Sequence, residues 1–81
     1  LFNGDFVNEE AAALARRIRR EAGEGIGEQV RLAYRLAFSR SPTPEEAGHF
    51  AKFLGQAENT GDALTGFCRV LLNANEFVYI D

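Results

Sequence analysis

Residues able to do chemistry are scarce in this chain of 81, which holds one cysteine, one histidine, two prolines and no methionine or tryptophan. The lone cysteine, Cys68, excludes an internal disulfide, and no Cys-x-x-Cys-His sequence is present to attach haem. The lone histidine, His49, has no second soft ligand three or four residues on, so helical spacing makes no metal site of it. Nor does an obvious serine or cysteine nucleophile pair with it. With few prolines and no run of alternating β-branched residues, little of the chain reads as sheet. No apolar run is long enough to span a membrane and no signal peptide is visible. No cofactor, metal or small-molecule substrate is implied by these residues.

The apolar content is ample by contrast: 46% of residues are hydrophobic and seven are Phe, which supports a packed core. One short domain buries only about 60% of its unfolded surface, so every apolar stripe is needed. Net charge is −3, split as +1 over residues 1–40 and −4 over residues 41–81. An acidic chain of this kind is a poor general nucleic-acid binder. The fold class expected is all-α: a compact four-helix domain with short loops and a packed C-terminal turn.

Helical periodicity and its breaks locate the elements. At 100° per residue, Val30, Ala33, Tyr34, Leu36, Ala37 and Phe38 cover about half of a helical circumference, with Leu32 at the edge of the arc. So wide an arc packs on more than one neighbour, which makes Ile26–Ser39 the central helix. Proline 42 pushes Ser41 out of the α region and ends that helix by about Arg40. Thr43-Pro44-Glu45-Glu46 then starts the next one. Thr43 is the N-cap, Pro44 takes the first helical position, and Glu46 completes a capping box. Capping explains the Glu45–Glu46 pair better than general acid–base work does.

The first helix is expected over Asn8–Ala22, with Asn8 as N-cap and Gly23 as a left-handed cap. Val7, Ala11, Leu14, Ala15, Ile18 and Ala22 share one face. Arg16, Arg17, Arg19 and Arg20 fan over the other. An anionic ligand would need such a face. Yet Glu9 lies on the same side, Glu21 and Glu24 are in reach, and no aromatic residues interleave to stack on bases. A solvated charged face is the reading adopted, with anion binding the alternative.

The third helix, Pro44–Gln56, should bury Ala47, Phe50, Ala51, Phe53, Leu54 and Ala57. The fourth, capped by Thr60 or Asp62 and running to about Asn73, should bury Ala63, Leu64, Phe67, Cys68, Val70, Leu71 and Leu72. Gly66, near the edge of that arc, would suit either close helix approach or simple exposure. In the tail, Asn75 would cap a short turn, Phe77 and Tyr79 would close the core, and Glu76 would pair with Arg40. Leu1–Val7 echoes Leu71–Val78, which makes Leu1–Asn3 the end of an upstream helix and Phe6 an anchor beside Val7. The structural residues singled out are Arg40, Thr43, Pro44, Glu46, Asn73, Glu76, Phe77 and Tyr79.

Three segments carry a family resemblance. Leu1-Phe2-Asn3-Gly4-Asp5-Phe6-Val7-Asn8-Glu9, then residues 33–46 with their Arg40-Ser41-Pro42-Thr43-Pro44-Glu45-Glu46 turn, then residues 71–81, together resemble the C-terminal part of a planctomycete-specific domain family associated with cytochrome segments. The likeness covers essentially the whole chain and departs at Ser39, where the family usually has glycine. It implies the C-terminal piece of a large bacterial protein, periplasmic or secreted, with this module packing on upstream domains or another protein. No catalytic residues carry over. A more distant look-alike is the helical repeat of secreted bacterial proteins related to phycobilisome linkers.

The function expected is therefore a non-catalytic structural or protein-interaction module. One alternative is an accessory domain of a redox or carbohydrate-active enzyme. Another is anionic-ligand or nucleic-acid binding through the Arg16–Arg20 face.

Overall fold

Four helices follow one another in the computed structural model, which describes residues 4–56 and 60–74: α1 (Gly4–Ala22), α2 (Ile26–Phe38), α3 (Pro44–Gln56) and α4 (Thr60–Leu72). No strand occurs among the described residues. The all-α class and the four-helix architecture are those the periodicity predicts. A radius of gyration of 11.5 Å matches the roughly 12 Å of a compact chain this long.

The helices form a ring in which each packs on its chain neighbours and α4 closes back onto α1. α2 and α4 also meet across the middle, whereas the backbones of α1 and α3 do not approach closely. α2 is thus central, as its wide apolar arc predicts, but it shares that place with α4. Phe67, Leu64 and Leu71 of α4, Leu14 and Ile18 of α1, and Val30 of α2 are all fully buried. Tyr34 reaches in from α2 and packs against Phe67, ring centroids 6.4 Å apart, and against Phe50 of α3 at 6.2 Å. Phe50 and Phe67 stack obliquely at 4.6 Å. Aromatic contacts therefore join α2, α3 and α4 at the core.

Local chemistry fixes the ends of α1, α2 and α4. α1 stops at Gly23, which takes a φ of 76° that glycine adopts at no steric cost, and its N–H donates to the Arg19 carbonyl at 2.9 Å. The buried side-chain amide of Gln29, in α2, donates back to the Gly23 carbonyl at 2.7 Å and pins the α1–α2 turn. α2 ends at Ser39, also left-handed (φ 57°, ψ 32°), whose N–H donates to the Arg35 carbonyl at 3.0 Å. Beyond α4, Asn73 donates its side-chain amide to the Arg69 carbonyl at 3.0 Å, and the Asn73 and Ala74 N–H groups bond three residues back. Asn73 closes the last turn.

Several expectations need correction. α1 begins at Gly4, not Asn8, and Asn8 is no N-cap: its Oδ1 accepts from Arg69 Nε of α4 at 3.0 Å. Asp5, in the true first turn, faces the positive end of the helix dipole. Phe53 and Val70 are not core residues but stand 47% and 55% exposed, and of Phe6 and Val7, expected to anchor the entry to α1 together, only Val7 is buried, Phe6 being 57% exposed. α3 has a single buried residue, Leu54, with Phe50 half-buried beside it, because α3 lies against two helices and leaves a broad face to water. Gly66 marks no close approach among the described residues: a Cβ there would meet none of their atoms within 4 Å. Leu1–Asn3, Ala57, Asn75, Glu76, Phe77 and Tyr79, with the side chains of Thr60 and Asp62, lie outside the described residues.

Candidate functional site

The residues singled out from the sequence gather chiefly at the α2–α3 corner. Thr43 Oγ1 accepts the Glu46 N–H at 3.1 Å, and Glu46 Oε1 accepts the Thr43 N–H at 2.9 Å. That is the reciprocal capping box, with Pro44 opening α3 where a missing N–H costs nothing. Arg40 clamps the same carboxylate with both guanidinium nitrogens, Nη1 to Oε1 at 2.8 Å and Nη2 to Oε2 at 3.0 Å. Its Nη1 also donates to the Ser41 carbonyl at 3.1 Å. The guanidinium carbon lies 5.3 Å from the Tyr34 ring centre and 5.6 Å from that of Phe38. A cation over two aromatic faces is attracted by their quadrupoles. Arg40 thus binds the end of α2 to the start of α3.

This corner has the electrostatics of a clasp. The Arg40 hydrogen bonds, then that from the Thr43 N–H, hold the Glu46 carboxyl down at about 2 from its ordinary 4.5. So firmly ionised a carboxylate is a poor proton donor or acceptor near neutrality. Sequence reasoning names Glu46 as the cap but assigns Arg40 to Glu76; the Arg40–Glu46 pair spans only six residues and was legible in principle.

The four arginines of α1 do not act together. Arg17 Nε pairs with Glu21 at 2.8 Å and Arg19 Nε with Glu24 at 3.4 Å. Arg16 and Arg20 are exposed and make no ion pair among the described residues. The face therefore offers two uncommitted cations where the sequence suggests four.

The other reactive types are placed as follows. Cys68 is fully buried, and burial pushes its thiol up to about 12, so it stays protonated. His49 is exposed and meets Phe50 edge to face at 5.0 Å. No three metal-ligating side chains come together among the described residues. One shallow hollow of about 250 Å³ lies between α1 and α2, lined by Glu21, Ala22, Glu28, Arg31, Leu32 and Arg35. Another of about 300 Å³ lies beside His49, Lys52, Phe53 and Gln56 of α3. No described helix is long and apolar enough to cross a membrane.

No protein-family model, curated protein or solved structure matches the chain.

Proposed function

We propose that this domain is a non-catalytic structural or protein-interaction module of a larger bacterial protein. The observation that carries the reading is the use made of the two strongly perturbed groups among the described residues. Glu46 is consumed by Arg40 and the α3 cap, and Cys68 is consumed by the core. Perturbed groups in an active site face a cleft and a substrate; these two hold helices together. The resemblance to the planctomycete-specific family supports the setting, a large exported protein in which such a module packs on its neighbours.

The test is made in the parent chain. Cys68→Ser and His49→Ala should leave any turnover of the parent within about twofold, since a lost general acid or base costs 10²-fold or more. A loss of that size, with the fold intact by circular dichroism, assigns chemistry to this domain and removes the proposal.

A second reading, binding of an anionic ligand, rests on Arg16 and Arg20, which are exposed and make no ion pair among the described residues. Asp5 and Glu9 on the same face count against it. Affinity falling steeply with added salt would favour it.

A further inference from the structure

We propose that the outer face of α1 pairs antiparallel with the same face of a second copy of this chain. The inner face of α1, Val7, Ala11, Leu14, Ala15 and Ile18, is buried against its neighbours. Stepping 100° per residue places Asp5, Glu9, Ala12, Ala13, Arg16 and Arg20 together on the opposite side. The four charged residues are exposed, and none makes an ion pair among the described residues. Along the helix the stripe reads acid, acid, small, small, base, base.

That order is self-complementary. A two-fold axis passing between Ala12 and Ala13 sets Asp5 opposite Arg20 of the second copy, Glu9 opposite Arg16, and Ala12 opposite Ala13, each contact occurring twice. With a rise of 1.5 Å per residue, Asp5 and Arg20 both lie about 11 Å from the axis, and Glu9 and Arg16 both about 5 Å. The alanines at the centre let the helix axes approach to about 8 Å. A parallel pairing would set acid on acid and base on base, so the charges select the antiparallel one.

The helix dipole does not account for the pattern. It favours acids in the first turn and bases in the last, which covers Asp5 and Arg20, but its effect fades within one turn. Glu9 and Arg16 lie deeper. One helix face falls short of the ~1,000 Å² of a stable interface, so the dimer is weak, exchanging and sensitive to salt. The pairing gives the interaction module a partner, and its test reads α1 alone, so its failure is distinct from a failure of the turnover test above.

Sedimentation of the chain is measured up to about 1 mM, in salt of about 20 mM and about 500 mM. Association is expected at low salt and should weaken at least tenfold at high salt. The doubly reversed variants Asp5→Lys/Glu9→Lys and Arg16→Glu/Arg20→Glu should each lose self-association at least tenfold. Mixed one to one, they should form a heterodimer. If either double variant unfolds by circular dichroism, Glu9→Lys and Arg16→Glu alone take their place in the same mixing test. A wild-type chain that stays monomeric at low salt overturns the proposal. So do variants that associate as wild type does, and a mixture that remains monomeric.

Discussion

At Ser39 the backbone is left-handed, with φ 57° and ψ 32°, and the side chain gains nothing from it: its hydroxyl makes no hydrogen bond among the described residues. A residue with a Cβ gives up roughly 1–2 kcal/mol in that region, whereas glycine enters it freely. Glycine also loses more backbone entropy on folding, about 0.5–1 kcal/mol. Ser39→Gly should therefore stabilise the domain by about 0.5–1 kcal/mol, seen as a higher urea midpoint at unchanged slope. Helix-ending proline 42 was legible in the residues, but the left-handed step just before it was not, because serine carries no signal for it. Asn8 misleads in the opposite way. It has the chemistry of an N-cap, yet its partner is Arg69, sixty-one residues away.

Between helices, the α2–α3 corner was the most legible part, since capping boxes and proline stops act over four or five residues. Thr43→Ala removes the acceptor for the Glu46 N–H and should cost about 1 kcal/mol in chemical unfolding. The Arg40–Glu46 clamp adds a pH dependence whose sign is fixed. The folded carboxyl titrates near 2 and the unfolded one near its ordinary 4.5. Above about pH 5 both are ionised and the stabilisation is fully present. As pH falls through the window from 4.5 to 2, the unfolded chain takes up a proton that the folded chain refuses, and the stabilisation is progressively lost. Unfolding midpoints of wild type and Glu46→Gln should converge as pH falls from about 5 toward 2. Arg40→Ala should move the Glu46 titration, followed by NMR, back up toward its ordinary value. The Gln29 amide that pins the α1–α2 turn was invisible in the sequence, because a glutamine amid charged residues reads as solvated until the turn folds beneath it.

For the molecule as a whole, periodicity identifies which residues are apolar enough for a core but not how far each helix turns toward it. Phe53 precedes Leu54 by one residue and so stands roughly 100° round the helix from it. Whether both can be buried depends on how many neighbours enclose α3. Among the described residues α3 packs closely on α2 and α4, and it turns Leu54 and Phe50 inward and leaves Phe53 out. α4, touching all three other helices, buries nearly its whole arc, and Val70 lies beyond its reach. The same substitution at two phenylalanines separates these cases. Phe67 is 0% exposed and packs on Tyr34 and Phe50, so Phe67→Ala should cost about 3–5 kcal/mol, a large part of the stability of so small a domain. Phe53 is 47% exposed, and Phe53→Ala should cost less than about 1 kcal/mol. Urea unfolding of the two variants checks the ratio. Equal losses would mean that α3 is rotated about its axis, with Phe53 rather than Phe50 turned to the core.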